Sequence, residues 1–211
     1  MKNLEEKQQK AKEMIKELKK LFPDAKIALN YSTPFELLVA TILSAQCTDV
    51  LVNKVTANLF KKYKTLDDYV KADPQEFEQD IKSVTFYKNK AKNVLITAKM
   101  IKEKYNGKVP DTMEDLISLA GVARKTANVI LISIYNKLEG IVVDTHVRRL
   151  SQLFGFTESN DPVKIEQDLM QIIPHENWGE ISFLLINYGR KYSPARLTDY
   201  SQTPLAKYYI K

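Results

Sequence analysis

Apolar residues recur at intervals of three and four along almost the whole chain, and nowhere do they alternate long enough to make a sheet strand. Leu4, Ala11, Met14, Ile15, Leu18 and Leu21 form the first such stripe, which Pro23 ends. Thr33-Pro34 sets an N-cap residue before proline at the first helical position and opens a helix over Phe35 to Ala45. Asp73-Pro74 and Asp161-Pro162 repeat that signature. An amphipathic run, Val50 to Tyr63, follows Asp49. Lys90 to Tyr105 reads as a long helix closed by Asn106-Gly107. Thr112 with Asp115 has the look of a capping box. Ile141-Val142-Val143 is apolar but too short to build a sheet. The spacing predicts an all-α fold of helices joined by short loops, with no low-complexity linker.

The bulk numbers narrow the function classes. At 211 residues the chain suits one large domain or two small ones, and a 44% hydrophobic content can fill a core. A net charge of +6 favours an acidic partner, of which nucleic acid is the commonest. The single cysteine, Cys47, rules out a disulfide within the chain and fits a reducing compartment. Cys47 reads as a small buried residue. Residues 1–20 are too charged for a signal peptide, and no apolar run reaches the ~20 residues of a membrane span. The expected setting is therefore the cytoplasm or the nucleoid.

One segment carries the most chemistry: Leu119-Ala-Gly-Val-Ala-Arg-Lys-Thr-Ala-Asn128. A helix ends near Leu119, a tight turn contains Gly121, and a new helix starts near Ala123. Such a turn directs the amides of a helix start outwards, where they and the helix dipole favour a phosphate; it also describes an ordinary helix–helix corner. Lys125 lies in the first turn of the new helix, where a cation is disfavoured, and Arg124 adds a like charge beside it. Both favour the neutral amine, the form that acts as a nucleophile. The alternative is a solvated surface lysine. Further on, Val143-Asp144-Thr145-His146 leads into Val147-Arg-Arg-Leu150. Asp144 can cap that helix, or stabilise a cationic sugar and manage a proton. His146 is a lone histidine, a residue more often structural than catalytic.

These residues resemble the endonuclease III family of helix-hairpin-helix glycosylases, whose hairpin reads Leu-Pro-Gly-Val-Gly-Arg-Lys-Thr-Ala-Asn and is followed by Val-Asp-Thr-His. The likeness extends to Leu43-Ser-Ala-Gln-Cys-Thr-Asp-Val50, to Ile81-Lys-Ser-Val-Thr-Phe-Tyr-Lys-Asn-Lys-Ala91 and to Asn106-Gly-Lys-Val-Pro110. It implies two helical lobes with a cleft between them. One is a six-helix barrel over residues 27–137 with the hairpin at about 113–134; the other joins residues 1–26 to 138–211. It implies a bifunctional DNA glycosylase and AP lyase of base excision repair, acting on damaged bases, oxidised pyrimidines above all. Lys125 would be the Schiff-base nucleophile and Asp144 its catalytic partner. DNA contacts would come from Gly121, Val122, Ala123, Arg124, Arg190 and Lys191. Gln46 and Phe86, with Tyr87 beside them, would fill the gap left by the flipped base, although Phe86 also reads as a core aromatic. Ser44, Asp49 and His146 would line the substrate pocket, Asp49 serving equally well as a helix cap. The partner would be double-stranded DNA carrying damaged bases or abasic sites, bound by a monomer.

The chain departs from the family pattern in two places. The hairpin has Ala120 for proline and Ala123 for the second glycine; if position 123 needs φ > 0, alanine costs on the order of 1 kcal/mol. The family's four iron–sulfur cysteines fall on Ser193, Tyr200, Thr203 and Tyr209. No cluster and no other metal is therefore expected. Pro194, Leu197, Tyr200, Pro204, Leu205 and Tyr208 would form an apolar plug instead. Two alternatives stay open: a non-catalytic helix-hairpin-helix DNA-binding protein, and a glycosylase without lyase activity.

Overall fold

In the computed structural model, residues 2–210 are described; among them there are α-helices, short 3-10 turns and no strand. The all-α expectation holds. The chain divides into two compact units, Ala28–Tyr135 and the pair of segments Met1–Ile27 with Asn136–Lys211.

The Ala28–Tyr135 unit is built around a helix that is apolar on every side. That helix is α2, Pro34–Ser44, in which Leu37, Leu38, Val39, Ala40, Ile42 and Leu43 are all buried. An all-round hydrophobic helix is stable only at the centre of a bundle, and α2 packs against α3 (Asp49–Lys62), α6 (Tyr87–Lys104) and α8 (Arg124–Tyr135). The short helices α4 (Leu66–Lys71) and α5 (Pro74–Asp80) lie on α6, and α7 (Met113–Ser118) lies on α8. Tyr63, Tyr69 and Phe77 close one end of this core with ring centroids 5.2–5.8 Å apart.

Capping explains most helix starts here. Thr33 Oγ1 accepts the Glu36 amide and Asp73 Oδ1 the Glu76 amide, each ahead of a proline. At α3 the cap is Thr48, which accepts from Leu51 N, so Asp49 is the first helical residue and not the cap. The reciprocal capping box is at Thr65 and Asp68. At Thr112 the Asp115 carboxylate instead takes the cap hydroxyl, 2.7 Å away. The long helix α6 starts at Tyr87, ahead of the expected Lys90, because Phe86 turns into the left-handed region at φ 56° and leads straight into it. Its end is the expected one, with Gly107 N reaching Ile101 O at 3.0 Å and Asn106 and Gly107 both at positive φ.

The second unit contains α1 (Lys2–Leu21), α9 (Thr145–Leu153), α10 (Pro162–Ile172) and α11 (Trp178–Lys191). Met14, Leu18, Leu150, Phe154, Ile165, Leu169, Leu184 and Tyr188 form its core. Each such side chain contributes roughly 1.5–3 kcal/mol on burial. Ile141, Val142 and Val143 are buried as irregular chain leading into α9, tied down by Ser182 Oγ donating to Val142 O at 2.7 Å.

Candidate functional site

The hairpin is held from below by α6. Leu119 follows α7 in extended backbone, Gly121 turns at φ +76°, and α8 opens at Arg124. Val122 is buried and its amide closes the turn on Leu119 O at 3.2 Å. Thr97 of α6 donates its hydroxyl to Ala120 O at 2.9 Å. A Cβ at position 121 would lie 2.7 Å from Asn93 Nδ2, so α6 also limits this position to glycine. Only Gly121 in the hairpin has positive φ; Ala123 does not, and alanine there carries no left-handed penalty. Gly121, Ala123, Arg124 and Lys125 are exposed. Lys125 is the second residue of α8, where the first amides of the helix have no partners within it.

Two further loops of the same unit present left-handed residues that are not glycine: Gln46 and Phe86, both at φ 56°. Such backbone is costly and persists where its surroundings dictate it. Gln46 is exposed just past the end of α2, and Phe86 is 60% exposed, so it is not a core aromatic. Tyr87 is half-buried at the first position of α6. Ser44 donates its hydroxyl back to Thr41 O at 2.8 Å, and half-buried Asp49 opens α3.

Lys90 joins these two loops. It is 6% exposed, and its ammonium donates to Leu43 O at 2.8 Å, Ala45 O at 2.5 Å and Cys47 Sγ at 3.5 Å. The same sulfur accepts the Thr85 amide at 3.3 Å. Burial pushes the Cys47 thiol up, but the hydrogen bonds from Thr85 and the charge of Lys90 outweigh it and leave its pKa lowered. Cys47 is thus a half-buried acceptor with polar partners, and not the small buried residue expected. Sequence reading passed over Lys90. Its signal was a lysine in register with Val94, Thr97 and Ile101, on a helix face that is otherwise buried.

In the other unit Asp144 is the N-cap of α9, its Oδ1 accepting the Val147 amide at 2.8 Å. It is half-buried. His146, two residues on, sits against α11, where only glycine fits: a Cβ at Gly189 would lie 2.6 Å from His146 Nδ1. Burial lowers the pKa of His146; Asp144 opposes this, and Arg149 and Arg190 add to it. Arg190 and Lys191 are exposed at the end of α11.

The segment after α11 is held by hydroxyls and rings. Ser193 is fully buried and Arg149 donates to both its Oγ, at 3.2 Å, and its carbonyl. The rings of Tyr200 and Tyr209 stack with centroids 4.4 Å apart, and Thr203 donates its hydroxyl to Tyr200 O. Tyr209 also packs on Phe154 at 4.9 Å and meets the Tyr188 hydroxyl at 3.4 Å. Leu205 and Tyr208 are buried as expected, whereas Pro194 and Pro204 are exposed and lie outside the plug. Four side chains already engaged, Ser193 with Arg149 and the other three among themselves, and none offering a thiolate, do not suit an iron–sulfur cluster. Among the described residues, no three of His, Cys, Asp and Glu are grouped as a metal would require.

Residues 39–175 match the family described as HhH-GPD superfamily base excision DNA repair protein. Endonuclease III of Synechocystis sp. is 48% identical over 196 residues, covering 93% of this chain and 90% of that protein. Endonuclease III of Bacillus subtilis is 46% identical over 186 residues, covering 88% and 84%. Among solved structures, a trapped covalent endonuclease III–DNA intermediate superposes with a TM-score of 0.90 at 43% identity, covering 96% of this chain and 95% of that one.

Proposed function

Since the chain belongs to the HhH-GPD superfamily of base excision DNA repair proteins, and within it to the endonuclease III family, we propose that Lys125 and Asp144 carry its DNA glycosylase and AP lyase activity. The enzyme acts on damaged double-stranded DNA. The observation that carries the assignment of the nucleophile is the position of Lys125: exposed, in the first turn of α8, directly past the left-handed Gly121.

The hairpin amides and the dipole of α8 suit a backbone phosphate, which would hold the strand beside Lys125. The target base must first leave the stack, at a cost of a few kcal/mol. Phe86 would wedge into the vacated step, and Gln46 would hydrogen-bond the orphaned base. The lone pair of Lys125 Nζ then attacks C1′. The bond from C1′ to the base breaks, and the base leaves with that electron pair and gains a proton. The nitrogen gives up a proton, its freed lone pair forms the C=N bond of a Schiff base, and the C1′–O4′ bond breaks with O4′ taking a proton, which opens the sugar ring. The imine acidifies C2′; loss of a C2′ proton forms a C=C bond and expels the 3′ phosphate, cutting the strand. Asp144 would stabilise the cationic sugar and relay protons in these steps. Ser44, Asp49 and His146 remain candidates for the pocket, and oxidised pyrimidines the favoured substrate class.

We propose further that this chain works without an iron–sulfur cluster, as a monomer in the cytoplasm or on the nucleoid. Among the described residues no helix is long and apolar enough to cross a membrane. Borohydride trapping on a duplex carrying an oxidised pyrimidine tests the nucleophile: the parent should form a covalent adduct and Lys125→Ala should form none. An adduct in the variant would place the nucleophile elsewhere.

A further inference from the structure

Lys90, Asn93 and Thr97 lie three and four residues apart and share one face of α6, and Phe86 is the residue that caps the start of the same helix. Each meets a different part of the proposed DNA-facing surface. Phe86 is the exposed tip of one loop. Lys90 grips the end of α2 and the turn that carries Gln46. Asn93 fills the space against Gly121, and Thr97 holds Ala120 O. One helix face thus sets the relative positions of two loops and the hairpin.

We propose that Lys90 is the positioning residue that makes Gln46 and Phe86 enter DNA together. The physical case rests on what its ammonium does. The last carbonyls of a helix have no partners within it, and a cation there is favoured by the dipole as well. Lys90 meets both needs at Leu43 and Ala45. The residue that follows, Gln46, is left-handed without being glycine, a conformation that has to be imposed from outside. The third contact, to Cys47 Sγ, reaches the atom that also accepts the Thr85 amide, and Thr85 immediately precedes Phe86. One buried charge and one sulfur therefore connect the backbone under Gln46 to the backbone under Phe86, across 40 residues of sequence. A buried ammonium with three acceptors also resists being pulled apart, because separating it would leave a charge unpaired. Lys90 is itself buried and acts through the two loops.

This inference rests on the reading of Gln46 and Phe86 as gap-filling residues, and the experiment separates the two ideas. Cleavage is measured on a duplex with an oxidised pyrimidine, where a gap must be filled, and on a single strand with a preformed abasic site, where there is none. For K90M, kcat/KM on the duplex should fall on the order of tenfold or more, as misplaced positioning elements do. On the abasic single strand it should change by less than about twofold, within ordinary additivity error. K90R, which keeps the charge and donors, should recover part of the duplex rate. The double variant K90M/F86A should be little worse than F86A alone. Equal losses on both substrates, or full additivity with F86A, would overturn the positioning role. If F86A and Q46A themselves leave the duplex rate intact, the gap-filling reading fails instead. Should K90M not fold, C47A removes the shared sulfur while leaving Lys90 its two carbonyls. It should show the same preference for the duplex at a smaller factor, and a loss equal on both substrates would count against the proposal.

Discussion

The cap role of Asp144 and the catalytic role proposed for it can be separated by one substitution. Its Oδ1 accepts the Val147 amide as the cap of α9, and asparagine performs that task as well as aspartate. Asp144→Asn should therefore keep the fold and the affinity for DNA, while removing the negative charge that the mechanism needs. Turnover should fall on the order of a hundredfold or more, read in single-turnover excision beside a binding titration. Matching losses in binding and turnover would mark Asp144 as a cap alone. His146 gives a second test at this scale. Its folded pKa is lowered, mainly by burial, so its contribution is complete above the unfolded value of about 6.5. As pH falls through that value the unfolded chain takes up a proton that the folded chain accepts less readily, and stability is lost. The melting temperature of the parent should therefore drop further between about pH 7.5 and pH 5 than that of His146→Gln. Equal drops would show that His146 takes no part.

At the scale of elements, α6 and the hairpin are bound by a steric rule. Gly121 sits at φ +76° with Asn93 beneath it, so Gly121→Ala meets both a backbone penalty and a 2.7 Å contact. The left-handed penalty alone is ~1–2 kcal/mol. The variant should unfold at lower denaturant and bind undamaged duplex more weakly, since the hairpin shifts. Unchanged binding with reduced stability would separate the turn from the DNA contact. Ala123 makes the complementary point: it is not left-handed, so returning it to glycine should not stabilise the turn.

For the whole molecule, the end of the chain is the part most unlike the family pattern. Where the family places four thiolates, this chain places Ser193, Tyr200, Thr203 and Tyr209, joined to Arg149, Phe154 and Tyr188. Tyr208 adds a bond from its hydroxyl to Glu17 on α1, and Ile210 N bonds to Leu153 O. Through these contacts the segment ties α1, α9 and α11 together, and the proposal is that it needs no metal to do so. Freshly purified untagged protein should be colourless, free of iron by elemental analysis, and unaffected in melting temperature by a chelator. Stoichiometric iron would refute this.

Short-range physics was legible in the sequence. Helix stripes, proline-backed caps and the Gly121 turn depend on residues a few positions apart, and so did the position of Lys125 at a helix start. The family likeness rested on the same local runs. Long-range packing was not legible. A lysine in an apolar register reads as an error in the stripe until α2 arrives with two unpaired carbonyls for Lys90. Phe86 read as a gap-filling tip with a core aromatic as the alternative, because exposure depends on which neighbours fold over it. The exclusion of Pro194 and Pro204 from the terminal plug, and the entry of Ser193 and Tyr209, were decided by where Arg149 and Tyr188 stand. Periodicity and caps by themselves determined that this chain is helical and where its hairpin turns. Only the tertiary structure decided which polar groups are buried and what each must bond to, because a buried donor is satisfied by whatever acceptor the fold brings within reach.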